Sequence, residues 1–549
     1  MHIQRTTAAA PRTISLAGAG ASLALALCAG RLPAQTPQVT LPGDDAGDQA
    51  GAALAALPDL DGDGLAEIVI GAPGDGSQAE RTVRVARVSD GALLLRLVDK
   101  TPGSLFGAAV AGLADTNGDG LPDVAVGAPG SAPGAGHVRV YSGADGAVLL
   151  DLVGGGADPW DGFGAALAPL ADRDGDGVPE LLVGAPSLSD TAPGSAFIRS
   201  GATGAVLASY VGAAPGDRFG AAVAEAGDVD GDGTPDVLIG APHGGYAQVR
   251  SGADGGVLLA LPGSGEDFGA AVAPAGDHNG DGRADLAVAT PGLARVDVLS
   301  GANGALLTRF SHEGAFGSAL AAAGDWNADG VQDFLVGAPA EPAAGLEDSG
   351  NVYAISGAEG DVLFKAAGKA VGERQGAAVA VLGPAGPGGK PALAVGAPGA
   401  ANLAGEPAGV TRLYPGAFVG AILPYGIGCP GSFLITPRLD LIGDPVPGGE
   451  MTLSITKALG GSFALLFLGG GQGELPLPNG CILWTVPVLL QPVMLPLEGP
   501  GPGEGHATVT ARVPEELPAG SVLTLQTLVS DRGTDGGISS TSAIQLTIQ

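Results

Sequence analysis

The stretch Phe106–Gly130, "FGAAVAGLADTNGDGLPDVAVGAPG", sets short apolar runs on either side of an acidic turn. Asp115, Asn117, Asp119 and Asp123 stand at odd positions around Gly118 and Gly120. Oxygen-bearing side chains at every second place, with glycine at the bend, suit a loop that gathers ligands for a hard cation. The same turn recurs as "DLDGDGLAE" at Asp59, "DRDGDGVPE" at Asp172, "DVDGDGTPD" at Asp228, "DHNGDGRAD" at Asp277 and "DWNADGVQD" at Asp325. In chain order the six are 56, 57, 56, 49 and 48 residues apart. A period of this size marks a repeat architecture.

Other features keep the same phase. Each turn enters an apolar strand ending in Gly71-Ala72-Pro73, Gly127-Ala128-Pro129, Gly184-Ala185-Pro186, Gly240-Ala241-Pro242, Ala289-Thr290-Pro291 or Gly337-Ala338-Pro339. A seventh copy, Gly396-Ala397-Pro398, follows "LGPAGPGGKP", which has no acids. Phe106-Gly107, Phe163-Gly164, Phe219-Gly220, Phe268-Gly269 and Phe316-Gly317 open the repeats, with Ala50-Gly51 and Gln375-Gly376 in the first and seventh. Hairpin signals such as "VRVYSGADGAVL" follow each Gly-Ala-Pro. Four strands per repeat, seven times over, predict a β-propeller. A parallel solenoid is the competing reading, but its shorter rungs need no paired hairpins. "QVTLPG", Gln38–Gly43, stands in phase with a fourth strand and is expected to close blade seven.

Bulk composition agrees. Gly and Pro, 98 and 43 of 549 residues, would suggest disorder if they lacked a period. Here they keep one, and 45% of residues are apolar. With aromatics at 4%, the core must be built from Ala, Val and Leu. A formal charge of −32 argues against nucleic acid or an anionic membrane as partner. Arg5 and Arg12 precede an apolar run from Ile14 to Ala29, and "RLPAQ" offers a cleavage site after Ala34: a secretory signal over 1–34. Cys28 invites a lipoprotein reading, which Leu27 disfavours. The expected domains are then 35–422, the propeller, and 423–549, a small β-sandwich-like domain built from runs such as "MTLSITKAL" and "SVLTLQTLVS". Export favours a disulfide between Cys429 and Cys481, with two buried thiols as the alternative.

The Phe-Gly, acidic turn and Gly-Ala-Pro unit resembles the FG-GAP repeat of integrin α-subunit head domains and of exported bacterial relatives. The likeness covers about 50–422 in seven in-phase copies. It implies an all-β, seven-bladed FG-GAP propeller with ions on one face and ligands taken by loops on the other. Those opposite loops include "APAEPAAGLEDSGN" after Gly337 and "APGAANLAGEPAGV" after Gly396. Trp160 and Tyr246 are the aromatics best placed to touch a partner, although capping a blade edge is the plainer role. No Arg-Gly-Asp and no inserted domain occurs, so only the scaffold carries over.

Calcium takes about 6–8 oxygens at roughly 2.3–2.6 Å. A nine-residue turn supplies them from side chains at positions 1, 3 and 5, a carbonyl at 7 and a carboxylate at 9. The expected ligands are Asp59, Asp61, Asp63, Leu65 and Glu67; Asp115, Asn117, Asp119, Leu121 and Asp123; and Asp172, Asp174, Asp176, Val178 and Glu180. The later turns supply Asp228, Asp230, Asp232, Thr234 and Asp236; Asp277, Asn279, Asp281, Arg283 and Asp285; and Asp325, Asn327, Asp329, Val331 and Asp333. Up to six structural Ca²⁺ follow. An EF-hand is excluded, because position 12 is an apolar strand residue in all six. Ion-free Asx-turns compete, but such turns do not require acids at both 5 and 9 in every copy.

No nucleophile elbow, phosphate loop or zinc-protease helix occurs, and His137, His243, His278, His312 and His506 are scattered. The chain is read as no enzyme but a monomeric, secreted or cell-surface, calcium-binding adhesion module for an extracellular protein or glycan. The alternative is a secreted hydrolase or its carbohydrate-binding accessory.

Overall fold

The computed structural model describes residues 37–414, apart from 38, 77–79, 131–135, 155–160, 188, 190, 264, 266, 328, 344, 385–390 and 403, together with the strands between 422 and 547. The signal segment, Cys429, Cys481 and Trp160 lie outside the described residues. Chain contacts separate two compact units at Gly416/Ala417.

The first unit is a seven-bladed propeller. Blade 2 shows the plan: Ala109–Leu113, Asp123–Ala128, His137–Tyr141 and Val148–Val153 form one antiparallel sheet in chain order. Five further sheets repeat it. The first strands are Ala53–Leu57, Ala109–Leu113, Ala166–Pro169, Ala222–Gly227, Val272–Gly276, Ala319–Gly324 and Ala378–Pro384; each touches the next, and the last touches the first. Seven strands converging on one axis leave little room, and Ala dominates them.

Second strands such as Glu67–Ala72 and Asp236–Ala241 are buried at every residue, covered on both faces by neighbouring blades. That two-sided burial explains their unbroken apolar run. Fourth strands such as Val148–Val153 and Val206–Val211 are exposed or half-buried but for one buried residue each, as an outer edge should be. The core is therefore a set of inter-blade layers: Leu57, Val83 and Leu97 of blade 1 meet Phe106, Val124 and Val126 of blade 2.

The repeat motif explains itself at these layers. In all seven blades the glycine of Phe-Gly donates its N–H to the first residue of the Gly-Ala-Pro element of its own blade, at 2.9–3.1 Å. Its carbonyl presses against the preceding blade: a Cβ placed on Gly127 would lie 2.0 Å from the Gly164 oxygen, and one on Gly184 would lie 2.0 Å from that of Gly220. Only hydrogen fits there. Phe106, Phe163, Phe219, Phe268 and Phe316 are all buried beside these contacts.

The expected closing strand is present. Val39–Pro42 pairs with Val410–Tyr414, Val39 opposite Leu413 and Pro42 opposite Val410, so the N-terminal segment completes blade 7. Leu41 and Val39 reach over Gly91 of blade 1, and Arg84 Nη1 donates to the Pro42 carbonyl at 2.8 Å. Removal of residues 1–42 is expected to cost about 4 kcal/mol, from two partly buried aliphatic side chains and a short ladder. Urea unfolding checks this; an unchanged midpoint would show that the ring does not depend on the strand.

The second unit is also all-β. One sheet orders Ile422–Tyr425, Ala543–Thr547, Val522–Ser530, Phe463–Gly469 and Val493–Pro496, with Ile538–Ser540 beside Val522–Ser530. A second joins Arg438–Gly443, Glu450–Leu459 and Pro502–Arg512. Among the described residues the one helical element is a 3₁₀ turn, Pro291–Leu293.

Candidate metal centres

Each acidic turn joins the first and second strands of a blade, so six of them share one end of the ring. All are built by the same hydrogen bonds. The carboxylate at position 1 accepts backbone N–H groups from the bend: Asp59 takes those of Gly62 and Gly64, at 2.7 and 2.8 Å. Position 3 accepts the N–H of position 5, as Asp119 N to Asn117 Oδ1 at 2.8 Å. Position 5 accepts that of position 7, as Thr234 N to Asp232 Oδ1 at 2.7 Å. Gly62 and Gly64 have φ of +81° and +86° with open space where a side chain would point. Their requirement is conformational, whereas that of Gly127 is steric.

Position 9 anchors the turn from below. Glu67, Asp123, Glu180, Asp236, Asp285 and Asp333 are fully buried, and each accepts the N–H of position 2 at 2.7–2.9 Å. The remaining oxygen divides them. In the four aspartates it accepts a second N–H, from Gly143, Gly252, Gly301 or Gly357 at the turn between third and fourth strands. In the two glutamates the extra methylene alters the reach, and Oε1 of Glu67 and of Glu180 is buried with no hydrogen-bond partner. A buried carboxylate oxygen in that condition is costly unless a cation meets it. Burial pushes the Glu67 carboxyl up to about 7 and raises that of Glu180. The bend N–H groups, that of Gly120 foremost, lower Asp115 instead.

The carboxylates converge in three turns. Ligand oxygens of Asp59, Asp61, Asp63 and Glu67 lie within 4.8 Å of one another, as do those of Asp172, Asp174 and Glu180, and those of Asp228, Asp230 and Asp236. These are the turns with Asp at position 3. Where position 3 is asparagine no such cluster forms among the described residues; Asn117 and Asn327 turn Nδ2 onto the carboxylates of Asp119 and Asp329, at 2.9 and 2.7 Å. The donor set, hard oxygens with two orphaned in the interior, fits calcium.

Neighbouring turns are stitched together. Arg173 donates to the Pro235 carbonyl and Arg283 to that of Val229, so the blade 4 turn is held from both sides. Tyr246 is engaged within its own surroundings: its hydroxyl donates to Asp217 and accepts the Ala213 N–H, both at 2.9 Å, and its ring stacks on Phe219.

Two groups escaped the sequence reading. Arg87 stands over the blade 1 turn, where blades 2–6 place serine. At the opposite end of blade 6, Tyr353 donates to Glu341 at 2.6 Å and accepts from Lys365 at 2.8 Å, beneath the His312 ring. Glu341 lies in the loop after Gly337 with Glu347 and Asp348, so the signal was one acid of three in a long loop.

The FG-GAP repeat profile matches residues 50–91, 106–141, 219–259 and 316–355, which fall in blades 1, 2, 4 and 6. Integrin alpha pat-2 of Caenorhabditis briggsae is 32% identical over 223 residues, covering 35% of this chain and 18% of that protein. Integrin alpha-7 of Homo sapiens is 37% identical over 166 residues, covering 28% and 14%. Integrin alpha-4 of Xenopus laevis is 36% identical over 163 residues, covering 27% and 15%. The chain thus spans less than a fifth of the length of these relatives. It carries FG-GAP repeats on a seven-bladed propeller, and integrin α subunits are its homologues.

Proposed function

Starting from a propeller that carries FG-GAP repeats, we propose that this chain is a secreted or cell-surface calcium-binding module that attaches to an extracellular protein or glycan. One observation supports it above the rest: in-register acidic turns on an integrin-like ring, two of them holding an unpartnered buried glutamate oxygen. We read the ions as structural staples, each tying a first strand to a second. The binding surface is the other end of the ring, formed by the loops after the second and fourth strands. The Glu341–Tyr353–Lys365–His312 group gives that end its polar chemistry. Residues 423–549 we read as a small β-sandwich following a propeller of 35–422, in a monomeric mature chain freed of 1–34.

The test is binding to glycan and matrix-protein arrays in calcium and in EDTA. Calcium-dependent capture without turnover is the expected result. Release of a product from a polysaccharide or phospholipid would replace this reading with that of a secreted hydrolase.

A further inference from the structure

Six hairpin turns between third and fourth strands share one backbone pattern. In blades 2–6 a serine opens the turn, its N–H donating to residues 147, 205, 256, 305 and 361 and its carbonyl accepting from glycines 146, 204, 255, 304 and 360. In blade 1 the same two bonds, Arg87 N to Ala92 O and Gly91 N to Arg87 O, place Arg87 in the serine's position. Two of the serines reach over the acidic turn: Ser142 and Ser356 donate to Asp119 and Asp329 at 3.2 Å. Arg87 reaches over its own turn with a charge. Nε and Nη2 lie 2.6 and 2.5 Å from Asp61 Oδ2, and Nε lies 3.8 Å from Asp63. Nη1 is held by Asp90 at 3.3 Å.

We propose that Arg87 is a resident counter-ion of the blade 1 turn, holding it closed when divalent cations are scarce and competing with them when they are present. The proposal rests on the turns being calcium sites only in its second half. Asp61 and Asp63 belong to the cluster that a cation would use, and a guanidinium tethered on Asp61 repels any ion entering there. Blade 1 also receives the closing strand, through Arg84 on Pro42 and Gly91 beneath Leu41. Its partner in closure, blade 7, carries no acids in its first turn. The seam therefore depends less on divalent ions than blades 3 and 4, whose turns gather carboxylates with no arginine bridged to them among the described residues.

Arg87→Ser restores the residue native to five other blades, so the hairpin should fold. Peptide-resolved hydrogen exchange at 59–67 and 172–180 is measured across a calcium titration beginning in EDTA. In the parent protein, 59–67 stays protected in EDTA while 172–180 exchanges. In the variant, 59–67 loses that protection, and the calcium concentration restoring it falls about tenfold or more, as removal of a like charge beside the ion requires. Unaltered exchange and an unaltered midpoint in the variant would overturn the role of Arg87. If no turn in either protein responds to calcium, the calcium reading fails, and the comparison in EDTA still decides for or against the arginine.

Discussion

Transfer from calcium into EDTA is expected to lower the melting temperature of the propeller by about 10 °C. The size follows from linkage: an ion that binds only the folded state contributes about 2.7 kcal/mol at a hundred times its Kd. The three turns that gather carboxylates would together contribute about 8 kcal/mol. A propeller of roughly 380 residues has an unfolding entropy near 0.8 kcal/mol/K, which converts that sum into the stated shift. Without the ion the hydrogen bonds of each turn are opposed by like charges left together, and Glu67 and Glu180 keep a buried oxygen unmet. Glu180→Gln, which removes a buried charge, should reduce the calcium-dependent part of the shift. Differential scanning calorimetry at several calcium concentrations checks both. Identical transitions with and without EDTA would mean that the turns are held by backbone hydrogen bonds alone.

What could be read in advance was whatever most blades share. Phe-Gly and Gly-Ala-Pro recur because the same inter-blade contact recurs, and the strands recur because each must be covered on both sides. Even the closing segment Val39–Pro42 was legible, since its phase matched a fourth strand. Differences between blades were not legible, because they turn on single atoms. One methylene decides whether the ninth carboxylate retains a free oxygen, as Glu180 does and Asp236 does not. One amide in place of one carboxylate at position 3 separates the turns that gather three or more carboxylates from those that do not. Arg87 was hidden because blade 1 lacks the Ser-Gly that marks its sister hairpins. His312, Glu341, Tyr353 and Lys365 come together from two blades, and no local pattern joins them.

Gly184→Val is expected to cost about 5 kcal/mol or to prevent folding, whereas Gly175→Ala in the adjoining turn should cost about 1–2 kcal/mol. Both glycines look alike in the sequence, yet they are glycine for different reasons. Gly175 has φ of +80° and nothing within 4 Å of a would-be side chain, so its cost is that of left-handed backbone alone. Gly184 lies in a strand, where a Cβ would come 2.0 Å from the Gly220 carbonyl oxygen. That oxygen cannot give way by itself: Gly220 has φ of +91°, and its N–H is bonded to Gly240 O at 2.9 Å in blade 4. Making room means parting blades 3 and 4, and with them the layer in which Leu182 and Phe219 meet Val237 and Ile239. Blade 5 already carries Ala289 at the corresponding position, its Cβ near Gly317, so a single methyl is tolerated where the neighbouring blade is seated to accept it. A branched side chain exceeds that allowance. Urea midpoints of the two variants decide the matter: equal losses would show that the inter-blade contact is looser than the geometry requires, and that the Gly-Ala-Pro glycine is kept for its backbone freedom instead.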